Sequence, residues 1–165
     1  MQKYFIIDPP TGYKVYLDPI GSDAGKYLSQ RPYVMGLILE VLEKMTLGKE
    51  SETIEHEMGR QIGTTDIVST DEKDSIYFAK QIKKTHYSRF AKNRVAEKSS
   101  LLSIVLVRDI DGNYEVSDAW IGKQSPKFPG HELEADDSIE FWQSHALVHE
   151  ALPIQTKTLT KDWPY

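Results

Sequence analysis

The most regular hydrophobic spacing in the chain lies over 32–47. Val34, Leu37, Ile38, Val41, Leu42 and Met45 recur at helical intervals and form one continuous apolar stripe. Met35 and Leu39 widen that stripe, so this helix is expected to be buried on more than one side, with Glu40, Glu43 and Lys44 turned to solvent. Pro32 suits its first turn and Gly48 the position just past its end. A weaker helix is expected over 51–61, where Ile54, Met58 and Ile62 recur every four residues and Gly63 can stop the chain. Its early Glu52, Glu55 and Glu57 favour the positive end of the helix dipole. A third helix is expected over 138–150, with Ile139, Trp142, Ala146 and His149 inward and Asp137 with Glu140 as a capping pair.

Elsewhere the period shortens to two. Residues 4–8 and 13–17 are β-rich runs around Pro9-Pro10-Thr11-Gly12, a turn sequence, so a hairpin is expected there. Residues 18–30, with a proline, two glycines, Ser and Asp, read as a loop. Short β runs follow at 65–69 and 75–80. The strongest strand pair is Leu101–Arg108 with Tyr114–Ile121, joined by Asp109-Ile110-Asp111-Gly112-Asn113. Residues 87–95 fit a helix or a strand, and the flanking hairpins favour a strand. A long loop occupies 122–137, and 151–165 is a tail expected to pack through Trp163. Short connections imply antiparallel pairing. The expected fold is α+β: a single domain over 1–165 with an antiparallel sheet of about five strands and helices packed on one side.

Length and composition narrow the functions. A chain of 165 residues can bury about 70% of its unfolded surface. There is no cysteine, which excludes disulfides, thiolate metal sites and cysteine nucleophiles. The formal charge is −5, so bulk attraction to nucleic acid or anionic membrane is not expected. The longest nearly apolar stretch, 101–107, is interrupted by Ser103 and is far short of the roughly 20 residues of a membrane span. The N-terminal apolar core is too short for a cleaved signal, and a cytoplasmic protein, or one exported without such a signal, is expected.

Against that acidic background one run is basic. Over 80–98, Lys80, Lys83, Lys84, Arg89, Lys92, Arg94 and Lys98 face a single Glu97, a local charge of +6, with His86, Tyr87 and Phe90 interleaved. Cations alternating with aromatics suit phosphate contact and base stacking, with RNA as the partner. The same run also fits a solvated hairpin paired with the acids of 132–137, Glu132, Glu134, Asp136 and Asp137.

The segment His86-Tyr87-x-x-Phe90-x-Lys92-x-Arg94 resembles the final strand of barnase-like ribonucleases, a group that includes many bacterial toxins, and the order of helices followed by strands is similar to theirs. The resemblance spans nine residues and implies a metal-independent cleavage. His86 would be the general acid that protonates the leaving 5′ oxygen while a ribose 2′ hydroxyl attacks phosphorus. Arg89, Lys92 or Arg94 would stabilise the charge that builds on phosphorus, and Tyr87, Phe90 and Lys80 would hold the nucleic acid. The catalytic glutamate of that family has no counterpart on the run 75–80, so His56 or Glu57 would supply the base.

Two further constellations stand beside it. On the expected second helix, His56 and Arg60 lie off the apolar stripe, where they could bind phosphate or be ordinary surface residues. On the expected third helix, His145 and His149 have the spacing of two zinc ligands, with His131 or Glu150 to complete a set, although packing of His149 is the simpler role. Trp120 and Phe128 either line a groove or close the sheet against that helix. The segment 21–27 lacks a phosphate-loop spacing, and no Gly-x-Ser-x-Gly elbow exists. The classes left are a metal-independent ribonuclease or RNA-binding protein without a cofactor, an interaction protein that meets a protein partner through its acidic surface, and a metal-dependent hydrolase.

Overall fold

The computed structural model of the chain describes residues 4–7, as backbone, and 14–45, 50–132, 134–149 and 151–165. In chain order the first half holds β1 (Tyr4–Ile7), β2 (Val15–Leu17), α1 (Asp23–Gln30), α2 (Val34–Glu43), β3 (Glu52–Glu57), β4 (Gly63–Thr65), β5 (Ile67–Ser69) and β6 (Ile76–Lys80). The second half holds β7 (Tyr87–Ala91), β8 (Glu97–Ser99), β9 (Leu101–Arg108), β10 (Tyr114–Ile121), α3 (Ser138–Gln143) and β11 (His145–Val148). The fold is mixed α+β. It gathers into two compact units, one of Met1–Gly63 with Ser99–Gln124, the other of Thr64–Lys98 with Ser125–Tyr165.

The first unit is built on a five-stranded sheet in the order β1-β2-β10-β9-β3. Its centre is the β9–β10 hairpin, with Leu106 opposite Val116, Ile104 opposite Ala119 and Leu102 opposite Ile121. Those six side chains are buried together with Val34, Ile38, Val41 and Leu42 of α2 and Ala24 and Leu28 of α1. The helical stripe read from the sequence is therefore the face α2 presents to this core. The Pro9–Gly12 turn and the Gly48 helix stop fall outside the described residues.

Three expected features of this unit differ. The sheet is mixed, because β2 runs parallel to β10. Residues 51–61 are not a helix, for Glu52–Glu57 pairs antiparallel with Leu101–Leu106 as an edge strand. A repeat of four is also two repeats of two, so Ile54 and Met58 reach one side of a strand as readily as one side of a helix. The glutamates that seemed to favour a helix dipole sit on an edge strand, where charge discourages further pairing. Residues 23–30 form a helix rather than a loop. Ser22 caps it by accepting the Gly25 N–H at 2.9 Å. A Cβ on Gly25 would lie 2.5 Å from the Pro19 carbonyl, so this glycine marks close packing.

The second unit carries a four-stranded sheet in the order β5-β11-β7-β6. β6 and β7 are antiparallel, while β11 runs parallel to β7 and antiparallel to β5. The helix expected over 138–150 stops at Gln143, and the chain enters β11 two residues later. Ala146, Leu147 and Val148 are all buried, as befits a strand between two others. Asp137 occupies the N-cap of α3 without a side-chain capping bond. One core of Tyr77, Ala79, Phe90, Phe128, Trp142 and Leu147 lies on one face of this sheet. In addition, β4 and β8 pair as a two-stranded ribbon.

The tail packs as expected. Phe78 and Thr160 exchange both backbone hydrogen bonds, at 2.7 and 2.9 Å, and Trp163 meets the Phe78 ring edge-on at 5.5 Å. Among the described residues, no helix is long and apolar enough to cross a membrane.

Ile38 is fully buried in the core of the first unit. Ile38→Ala is expected to cost about 2–5 kcal/mol in denaturant unfolding, and a loss below about 1 kcal/mol would be incompatible with this packing.

Candidate functional site

The basic run folds around β7, whose side chains alternate between the two faces of its sheet. Phe90 faces Tyr77 across the strands, stacked at 5.1 Å, within the aromatic core. His86, the residue before β7, points to the same side, where its ring stacks on Phe128 at 6.3 Å. Phe128 in turn stacks on Trp142 at 3.8 Å. Tyr87 and Arg89 turn the other way. Tyr87 carries the Lys80 ammonium over its ring at 5.1 Å, and its carbonyl accepts the Tyr165 hydroxyl. The side chains that the sequence places in one run thus divide between two surfaces.

Arg89 is only 8% exposed. Its guanidinium donates to the Thr70 hydroxyl at 2.7 Å and to the His145 carbonyl at 2.9 Å, tying β7 to the ends of β5 and β11. Burial pulls its pKa below the usual arginine value. A fork already used in this way is a structural brace. Phe90 is wholly buried and offers no face for a base to stack on. Lys92 is exposed beyond the strand end. Arg94 donates to the Ser69 carbonyl at 2.7 Å and pairs with Asp74 at 3.3 Å and Glu97 at 3.5 Å.

His56 and Arg60 belong to the first unit. His56 is exposed on β3, opposite Leu102, and Arg60 forms a two-pronged pair with Glu40 at 3.1 and 2.7 Å. That pair lowers the Glu40 pKa. Glu57, on the same edge strand, accepts from the Ser100 hydroxyl and the Gly59 N–H, which hold its pKa low. His145 and His149 do not share a helix turn, because they sit on and just after a strand. His145 stacks on Phe141 at 4.0 Å, and the Tyr77 hydroxyl bonds His149 Nδ1 at 2.9 Å. Glu150 lies outside the described residues. Among the described residues, no group of three or more His, Cys, Asp or Glu is placed to hold a metal ion.

The grouping that the structure adds centres on His86. Its half-buried ring meets the ring of His131 edge-on, with centroids 5.2 Å apart. His131 comes from the long loop 122–137, which α3 pins at two consecutive carbonyls. The Trp142 indole N–H donates to the Pro126 carbonyl at 3.1 Å, and the Ser138 hydroxyl donates to the Lys127 carbonyl at 2.5 Å. Gly130, at φ +87°, passes so close that a Cβ there would lie 3.3 Å from that of His86. Its N–H donates to the Glu134 carboxylate at 2.7 Å.

On the other side, the turn at 81–84 is tied down by Gln155, whose amide donates to the Gln81 and Lys84 carbonyls at 2.8 and 2.9 Å. Burial, then His131, Lys84 and Lys127, push the His86 pKa below its ordinary 6.5. The result is an imidazole neutral at neutral pH, beside a second imidazole and within the field of two lysines. In the sequence, His86 was the catalytic candidate of this group and Lys84 stood in the basic run around it. His131 was visible there as a zinc ligand, and Lys127 gave no signal.

No protein-family model matches the chain, and no curated protein or solved structure is significantly similar to it.

Two measurements check this geometry. Arg89→Leu leaves the Thr70 hydroxyl and the His145 carbonyl without their donor and is expected to cost about 1–3 kcal/mol; an unchanged denaturation midpoint contradicts the brace. The depressed His86 pKa gives a stability contribution fully present above pH 6.5 and lost as pH falls through 6.5 towards the folded value, because the unfolded chain takes the proton first. Unfolding midpoints are expected to fall less steeply over that window in His86→Asn than in the parent, and parallel curves would contradict it.

Proposed function

We propose that this chain is a metal-independent ribonuclease-like or RNA-binding protein of the cytoplasm, whose second unit brings RNA to His86. The observation that carries the reading is the His86 ring held against Phe128 and His131, with Lys84 and Lys127 bearing on it. Cleavage of RNA without a metal needs a group that moves a proton at the scissile phosphate and cations that stabilise the charge building there. His86 is a half-exposed group of the first kind, and the two lysines are cations of the second kind. The likeness of 86–94 to the final strand of barnase-like ribonucleases supports the same reading.

The contact set differs from the one read off the sequence. Arg89 braces the sheet, Phe90 fills the core and Arg94 is engaged by Asp74 and Glu97. In this reading Lys84 and Lys127 take over the phosphate. Lys80 and Tyr87, stacked together near Tyr165, lie on the other face of the sheet and have no part in this contact set.

Purified protein is expected to cleave single-stranded RNA in the presence of a chelator, and His86→Ala to lose about 10²–10⁴-fold in rate. Affinity for RNA is expected to fall as salt rises, and Lys84→Ala to weaken binding and flatten that dependence. Absence of both cleavage and a low-salt mobility shift would end the reading.

A further inference from the structure

The His86 site holds two imidazoles, and a single imidazole does not complete the reaction proposed for it. Attack of a ribose 2′ hydroxyl on phosphorus releases a proton at one oxygen, and departure of the 5′ oxygen requires one at another. In an in-line displacement those two oxygens lie on opposite sides of the same phosphorus. Among the described residues, the charged groups that bear on His86 are His131, Lys84 and Lys127, and no carboxylate is among them. Glu134, on the same loop as His131, has one oxygen engaged by the Gly130 N–H at 2.7 Å. What stands beside His86 is His131, its ring edge-on at 5.2 Å.

We propose that His131 is the second catalytic residue of this site and that the two histidines divide the proton transfers. His86 takes the 2′ hydroxyl proton, and His131 gives a proton to the leaving 5′ oxygen. This rests on the ribonuclease reading above and reverses the role that the barnase resemblance implies for His86. The balance is complete within the substrate and the two rings. The 2′ O–P bond forms, the P–O5′ bond breaks, and the products are a 2′,3′-cyclic phosphate and a 5′ hydroxyl. His86 ends protonated and His131 neutral, and hydrolysis of the cyclic phosphate by the reverse transfers restores both. No metal or redox partner enters.

Three features favour this direction. His86 packs against Phe128 and lies under Gly130, a sheltered setting that favours its neutral, proton-accepting form. Among the described residues, the titratable groups that bear on it are His131, Lys84 and Lys127, and all three disfavour a resident proton. His131 is half-buried on the loop that Trp142 and Ser138 anchor at Pro126 and Lys127, which holds its ring beside that of His86 from the loop side of the site. The substrate class follows. A chain that lacks 2′ hydroxyls supplies no nucleophile, so RNA is cleaved and DNA is not.

The discriminating experiment compares RNA with a uridine 3′-(p-nitrophenyl phosphate) ester, whose phenolate leaves without being protonated. His131→Ala is expected to lose about 10²–10⁴-fold on RNA but to stay within about tenfold of the parent on the aryl ester. His86→Ala is expected to be slow on both. The rising limb of kcat/KM against pH is expected below 6.5 in the parent and to vanish in His86→Ala. His131→Gln, with an unchanged unfolding midpoint, guards against a folding defect. Equal losses on both substrates for His131→Ala, parent-like cleavage of RNA by it, or rescue of His86→Ala by the aryl ester would each overturn the assignment and leave the ribonuclease reading intact. A parent protein inert on RNA and on the ester would remove both.

Discussion

The alternation of side chains along β7 is the constraint on which the site depends. A strand paired on both edges cannot rotate, so each residue is committed to one face of the sheet. β7 lies between β6 and β11, and that commitment sends Phe90 and its neighbour His86 towards Phe128 and Trp142, and Tyr87 and Arg89 towards Phe78 and the tail. Arg89 then fixes the register, because a single guanidinium bonds both Thr70, just past β5, and the His145 carbonyl at the start of β11. A cation that looks like a ligand contact in one dimension is the clamp that holds three strands in three.

The loop at 122–137 shows how a segment without regular structure can still place a side chain with accuracy. Its backbone carbonyls at Pro126 and Lys127 are taken by Trp142 and Ser138, two buried residues of α3. Phe128 is stacked on the same tryptophan. The loop is thereby an extension of the helix that follows it, and His131 inherits the position of α3. Such pinning limits the entropy lost when a ligand arrives, which is the usual weakness of sites carried on loops.

Much of the fold was legible in the pattern. The Leu101–Arg108 and Tyr114–Ile121 hairpin and the buried stripe of α2 follow from local spacing alone. β3 was not legible, since Ile54 and Met58 satisfy both periods and only the open edge of β9 decides between them. β11 was hidden because Ala146-Leu147-Val148 is too short a run to reveal its pairing, and its partners lie far away in sequence. The parallel contacts of β2 with β10 and of β7 with β11 join strands remote in the chain, which turn chemistry does not report. The site divides in the same way. His86 stood out through the charge around it, whereas Lys127 and His131 reach it only because the sheet and α3 bring the loop back.

The tail has a consequence of its own. Thr160 and Ile154 bridge to Phe78 and Gln81 along the outer side of β6. Without that cover, a row of unpaired amides beside an aromatic strand would recruit a like strand from another molecule. This stretch, polar and broken by prolines, therefore covers the edge on which another copy of the protein would template.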